Sequence, residues 1–291
     1  MFSFVLVNGL IIGAVYGLIA LGYSLIYRAS GLMSFLQGDI ITVGAYLGIS
    51  FYRYLGLPIL VSFALTFACA FLLGIVLERG VIRIMVKRNV LAIYIVLGTI
   101  AISYIIQNTF QMAYGTIALR FPQIFSSKTL TIFGVTNQTE AYACLIVSVL
   151  VMLILHFFMK KTTFGIAMRA AAMDTVAAES CGINTSLTVG VTWGVSAALA
   201  SLAGMLIGPM YGVYVVLGAT IGRKGFAGAV MGGFGNMYGA MIGGLILGLV
   251  ETFAASYWIA TYQNLVAFAL LLIFLFIKPT GIFNEQAIQD V

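Results

Sequence analysis

Apolar runs of roughly 20 residues, the length that crosses a bilayer, follow one another along almost the whole chain, and the polar breaks between them set the architecture. The first run covers residues 3–27 and stops at Arg28; after a polar break at 29–38 a second covers 39–51. Pro58 opens a third that ends near Glu78, and the stretch RGVIRIMVKR (79–88) reads as a basic loop before a fourth run at 91–111. Further runs cover 141–159, 188–208, 237–257 and 265–277, the last closed by Lys278–Pro279. Residues 218–236, GATIGRKGFAGAVMGGFGN, are too short and too glycine-rich for an ordinary span and read as a partial or broken helix entering the membrane. The expected fold is an all-α polytopic membrane protein with about eight transmembrane segments, one of them short or broken, forming a single domain over residues 1–291.

Two of the breaks are long enough to carry structure of their own. In residues 113–139, extended pieces at 116–125 and 129–135 flank Ser126–Ser127–Lys128. Their alternating Thr, Ile, Phe and Val predict a small hairpin outside the bilayer. In residues 160–187, KKTTFGIAMRAAAMDTVAAESCGINTSL, an alanine-rich piece at 164–173 carries Arg169 as its only charge. Asp174 is an N-cap for a second short helix, and Gly182 falls where a helix of about two turns would end. Two short helices bent at Met173–Asp174 would lie across a membrane face. A plain connection between spans needs only a few residues, so this one reads as a docking surface. The alternative is an amphipathic loop resting on lipid headgroups.

Composition fixes the class: the chain is 62% hydrophobic and 8% charged, where soluble domains are about 25% charged. The net charge of +6 matters through its placement. Arg79, Arg83, Lys87 and Arg88 are separated from Lys160, Lys161 and Arg169 by two crossings, so both groups share a face with Arg28, which the positive-inside rule makes cytoplasmic. The N-terminus is then outside. The C-terminus, with Lys278, is inside if 218–236 crosses fully and outside if that segment dips in and returns. The opening MFSFVLVNGLIIG has neither a basic n-region nor a clear cleavage site and reads as a retained span. Glycines recur at four-residue spacing in several runs (Gly9, Gly13 and Gly17; Gly44 and Gly48; Gly204 and Gly208; Gly235, Gly239 and Gly243; Gly244 and Gly248), the pattern that lets helix backbones approach in lipid. Cys69, Cys144 and Cys181 are isolated and read as buried reduced thiols.

Enzyme chemistry is poorly represented. The one histidine, His156, lies at the end of an apolar run, and the chain has no H-E-x-x-H and no G-x-x-x-x-G-K phosphate loop. The acids that could serve an ion-coupled carrier are Asp39, Glu78 and Glu251. Asp39 sits at the mouth of the second run, where it can cap the helix. Glu78 abuts Arg79 and reads as exposed or paired. Glu251 lies deep in a run, where an ionisable group is a functional candidate by default; a structural acid hydrogen-bonded to Asn8, Gln107 or Asn108 is the alternative.

Three ordered blocks then resemble one family. They are NGLIIGAVYGLIALGYSLIYRASGLMSFLQGDIITVGAY (8–46), the cytoplasmic pattern of Gly165, Met168–Arg169–Ala170, Asp174, Ala177–Ala178 and Gly182–Ile183–Asn184, and AVMGGFGNMYGAMIGGLILGLVE (229–251), followed by KPTGIF (278–283). The chain is similar to LivH-type permease subunits of bacterial branched-chain amino acid ABC importers, the hydrophobic amino acid uptake family. It departs from relatives at Phe35–Leu36–Gln37. The resemblance implies an inner-membrane permease, not an enzyme, that transports branched-chain or other hydrophobic amino acids. It implies a coupling segment that docks cytoplasmic ATPases through Gly165, Arg169, Asp174, Ala178, Gly182, Ile183 and Asn184. Asp39, Gly232, Gly233, Gly235 and Glu251 are candidates for the translocation path. The implied partners are a second, LivM-like permease subunit, two ATPase subunits, an extracytoplasmic amino acid-binding protein touching the 113–139 loop, and membrane lipid. No nucleic acid and no cofactor are implied, since ATP is bound by the partner ATPases. An ion-coupled secondary amino acid transporter stays open beside this reading.

Overall fold

The computed structural model describes residues 2–121, 129–132, 134–258, 260–278 and 280–283; Ser126, Ser127, Lys128 and Pro279 lie outside these. Helices dominate: α1 (Phe2–Ser30), α2 (Leu36–Ile49), α3 (Ile59–Leu77), α4 (Arg83–Lys87), α5 (Ala92–Tyr114), α6 (Thr139–Lys161), α7 (Thr163–Met173), α8 (Thr175–Ser180), α9 (Thr185–Tyr211), α10 (Leu217–Gly232), α11 (Met237–Tyr257) and α12 (Gln263–Ile277). Among the described residues, six helical stretches are long and apolar enough to cross a membrane: Phe2–Ser30, Ile59–Lys87, Ala92–Tyr114, Thr139–Lys161, Thr185–Tyr211 and Met237–Tyr257. Of the shorter helices, α10 and α12 span 16 and 15 residues, and the 14 residues of α2 continue through a π-helical turn, Ser50–Tyr54.

The glycine ladders do the packing. α1 and α11 run antiparallel, and a Cβ on Gly13 would lie 2.8 Å from the Leu245 carbonyl and one on Gly17 2.9 Å from that of Met241. Gly248 and Gly244 return the contact onto Gly13 and Gly17, so two glycine rows predicted separately close on each other. In lipid, apolar side chains gain nothing by leaving the solvent, and backbone approach of this kind replaces the hydrophobic drive. The same device seats α2 on α9, where Gly44 meets Ser201 and Gly204 meets Ile41. Almost all of α2 is buried as a result, in keeping with its apolar residues on every side.

Several local expectations are corrected. The polar break after α1 is shorter than 29–38, because Leu36–Gly38 enter α2 and the buried Gln37 amide donates to the Ser196 carbonyl at 2.9 Å. Residues 79–88 do not form a loop: α3 continues through a π-helical turn, Glu78–Ile82, into α4. That wider turn lets Arg83 grip Glu78, five residues back, with Nε–Oε1 2.9 Å and Nη2–Oε2 2.6 Å. The hairpin pairs Thr129–Ile132 (β1) with Val135–Gln138 (β2), a tighter turn at Gly134 than the expected partnership of 116–125 with 129–135. Leu119 instead bridges to Val213. Cys144 is buried, but Cys69 and Cys181 are exposed.

The contacts sort the molecule into two ends. At one, the hairpin meets the start of α1 through Asn137 and Asn8 at 2.5 Å, and Leu119 pairs with Val213 at 2.8 and 2.9 Å. At the other, Gly235 donates to the Ser24 hydroxyl at 2.9 Å and its carbonyl accepts from Arg28. The segment 213–236 therefore runs from one end to the other, with Gly218 part-way along it against Gly38 and Thr42. At 1.5 Å per residue α10 is ~24 Å long, and the non-helical 212–216 supplies the remaining reach. Residues 280–283 fold back on the Arg28 end, where the Ile282 and Phe283 amides donate to the Met231 and Gly232 carbonyls at 3.0 and 3.3 Å.

Candidate functional site

The first candidate is the α7–α8 pair at the basic end. Thr162 caps α7 by accepting from the Gly165 amide at 3.0 Å, and a Cβ on Gly165 would collide with the backbone of Phe158 and Met159. Gly165 thus lets α7 turn sharply off α6. The Asp174 carboxylate then caps α8, accepting from the Val176 and Ala177 amides at 2.8 and 2.9 Å. This is the bend at Met173–Asp174 predicted from the chain, and it is held by Asp174 alone: Arg169 does not brace it, and its buried Nε has no hydrogen-bond partner.

Gly182 closes α8 with φ +81°. Its amide donates to the Glu179 carbonyl at 2.9 Å and the next amide, Ile183, to Ala178 at 3.0 Å, the paired bonds of a Schellman cap. Asn184 then caps α9 by accepting from the Leu187 amide at 3.0 Å. Ala178 is buried while Val176 and Met173 stand exposed, 73% and 70%. Gly165, Asp174, Ala178, Gly182, Ile183 and Asn184 thus belong to one relay of caps, and Arg169 stands outside it. The chain signals missed one tie: Arg83, already on Glu78, also donates to the Ser186 carbonyl at 2.5 Å, fastening α3–α4 to the first turn of α9.

The five path candidates do not form one cluster. Asp39 does not cap α2. Its buried carboxylate accepts from the Ser103 hydroxyl and from Gln107 Nε2 at 2.7 Å, tying α2 to α5. Gly232 packs on Gly239, and Gly233 and Gly235 turn the chain at the basic end with φ +109° and +97°.

Glu251 is fully buried and pairs with neither Asn8, Gln107 nor Asn108. It accepts from Lys224 Nζ, on α10, and from Gln263 Nε2, on α12. Its Oε2 atom has no hydrogen-bond partner, and Lys224 Nζ lies 5.8 Å from the Tyr16 ring centre. Lys224 was missed because it was absorbed into a glycine-rich block. The signal was present: a buried cation in a span demands an acid in another. Lys224 and Gln263 line a cavity of about 240 Å³ between α1, α9, α10 and α12. Its other walls, Ile11, Ile12 and Val15 of α1 and Ile207 of α9, place it toward the hairpin end.

Among the described residues no cluster of three or more His, Cys, Asp or Glu could hold a metal. His156 Nδ1 is 2.8 Å from the hydroxyl of Tyr238, a contact between α6 and α11.

Residues 5–275 match the family model described as branched-chain amino acid transport system / permease component. The chain belongs to that family. It is 32% identical to the high-affinity branched-chain amino acid transport system permease protein LivH of Escherichia coli K12, over 98% of this chain and 96% of that protein. It is equally similar to BraD, the permease protein of the same description from Pseudomonas aeruginosa, over 98% and 97%. A probable permease protein LivH of Methanocaldococcus jannaschii is 26% identical over 91% and 87%. No solved structure matches. The chain is thus a multi-pass transport permease.

Proposed function

We propose that the chain is one of two permease subunits of an inner-membrane ATP-driven importer for branched-chain or other hydrophobic amino acids, supplying half of the translocation path. The observation that carries this is the α7–α8 relay, which is more than a connection between α6 and α9 needs. Exposed Met173 and Val176 offer it apolar contacts beyond the chain, and its caps make it a unit that can be pushed. Its motion passes into α9 through Asn184 and, through Arg83 on Ser186, into α3. Residues Gly165, Arg169, Asp174, Ala178, Gly182, Ile183 and Asn184 form the ATPase-docking segment in this reading.

The end bearing Arg28, α4, α7 and Lys278 is cytoplasmic by the positive-inside rule. The N-terminus is then outside and residues 278–283 inside, with the β1–β2 hairpin facing an extracytoplasmic binding protein. Arg223, exposed partway along α10, supports a second permease subunit: an arginine facing acyl chains is costly, whereas one facing a partner or the water-filled path is not. Glu251 and the 232–235 turn belong to the path's moving elements, and Asp39 holds α2 in place beside it. Two ATPases and the binding protein complete the assembly. Purification from native membranes in mild detergent tests this reading. Co-purification of ATPase subunits is expected, and their loss should follow Arg169→Glu. A permease recovered alone, with ATPases absent at wild-type sequence, would count against it.

A further inference from the structure

The outward faces of the membrane helices sort into two kinds. Between their ends, and beyond Asn264 at the start of α12, the exposed residues of α3, α6 and α12 are apolar apart from the Cys69 thiol. Such faces suit acyl chains. α5 and α10 differ. α5 exposes Tyr104 near its midpoint and Asn108 one turn on. The Asn108 amide donates to the Tyr104 carbonyl at 2.7 Å, and its side-chain oxygen has no partner among the described residues. Arg223 is the one exposed residue of α10, and among the described residues it has no ion pair or hydrogen bond. It lies ~14 Å along α10 from the Arg28 end, about midway through a ~30 Å hydrocarbon core, whereas snorkelling to headgroups serves residues near helix ends. Phe35, at the N-cap of α2, joins these helices. Its amide donates to Thr99 Oγ1 of α5 at 3.3 Å, its ring lies 5.6 Å from that of Phe226 on α10, and it is 40% exposed. α2 itself is bonded to α5 through Asp39 and packs on α10 through Gly38, against Gly218 and Gly222. The polar groups thus share one face, α5–α2–α10. α5 is also the least buried of the six spans, burying only Ile95, Thr99 and Ser103.

We propose that the α5–α2–α10 face is where the second permease subunit packs, and that this subunit is a different chain presenting a carboxylate to Arg223 within the membrane. The inference rests on the transport reading above and names the face and the chemistry of its partner. In lipid, helices associate through close packing and hydrogen bonds rather than a hydrophobic drive. A guanidinium in the hydrocarbon needs an acceptor, and a carboxylate matches its fork with two parallel bonds. A second copy of this chain offers no such group. Its acids in or at the membrane, Asp39, Glu78 and Glu251, are buried and bonded within the chain. A symmetric pair would also bring a second unpaired arginine to the same interface. The Tyr104 hydroxyl and the free oxygen of Asn108 offer further hydrogen bonds across it.

Photocrosslinking of the whole complex in native membranes tests this. p-Benzoylphenylalanine replaces Phe35, Ala101 or Asn108 singly on the face, and Leu65, Leu153 or Leu272 singly outside it. The first three positions should give adducts with a distinct multi-span chain, identified by mass spectrometry, at least ten-fold above the last three. Arg223→Met should lower recovery of that chain on the tagged permease at least ten-fold in mild detergent, while the amount of permease in the membrane holds. Arg223→Lys, which keeps the charge, should lose at most about three-fold. Adducts chiefly from Leu65, Leu153 or Leu272, adducts between two copies of this chain, or unchanged recovery with Arg223→Met would each overturn the proposal. A water-filled path along the face would leave Ala101 and Asn108 without adducts, and would overturn it as well. ATPase recovery is read in the same preparations. ATPases and a second permease that accompany the wild type but cross-link elsewhere would sink the face and leave the importer standing; their absence would sink the importer itself.

Discussion

Gly182→Val isolates the cap at the end of α8 from everything else in the molecule. No atom lies within 4 Å of where a Cβ on Gly182 would sit, so the substitution causes no collision and acts only through backbone conformation. At φ +81° a β-branched residue is strained by ~1–2 kcal/mol. If the turn escapes into an allowed conformation, it loses the Gly182–Glu179 and Ile183–Ala178 bonds, each worth ~0.5–1.5 kcal/mol. Either route costs about 1–3 kcal/mol, in a helix of six residues too short to be stable alone. The turn should therefore open, moving Ile183 and Asn184 while the spans remain as they are. If about 2 kcal/mol of this reaches docking, ATPase association weakens ~30-fold. Recovery of ATPase on immobilised permease, titrated with ATPase concentration, measures it. Gly182→Asn should stay within a few-fold of wild type, because asparagine tolerates the left-handed region. Equal recovery for Val, Asn and wild type would refute the reasoning; equal loss for Val and Asn would show that the side chain itself, not the turn, obstructs docking.

Other substitutions separate packing from function. Gly244→Leu should wedge α11 off α1, since its Cβ meets the Gly17 backbone directly, and should abolish recovery of folded permease by size-exclusion chromatography. Asp39→Leu should leave the Ser103 and Gln107 groups without their acceptor, lowering stability by ~1–3 kcal/mol. A drop in melting temperature with ATPase co-purification retained would register this, and an unchanged melting temperature would contradict it. Gly233→Leu, at φ +109° in the turn that receives 280–283, should reduce uptake while ATPase docking persists; loss of assembly would assign the turn to packing.

Periodicity made the long spans legible, because an all-apolar run in this composition has no other use, and the cap residues Asp174 and Gly182 marked the α7–α8 pair in the sequence. The misread places are those where a polar residue found a partner far along the chain. Gln37 joined α2 because Ser196 accepts from it, and residues 79–88 stayed helical because a π-helical turn brought Arg83 to Glu78. Neither pairing has a local signature. Glu251 stood out as a buried acid, yet its partners Lys224 and Gln263 lie on α10 and α12, and only the helix packing brings them together. Asp39, read from the sequence as a cap at the mouth of its run, is instead a tie between α2 and α5.

The most direct test of the account is uptake of radiolabelled leucine into proteoliposomes holding this chain alone or together with its partner permease, two ATPases and binding protein. The account predicts no accumulation by the chain alone under a proton or sodium gradient, and ATP-dependent accumulation by the full assembly that stops without the binding protein. Gradient-driven accumulation by the chain alone, abolished by Glu251→Gln, would contradict it and make the protein an ion-coupled carrier.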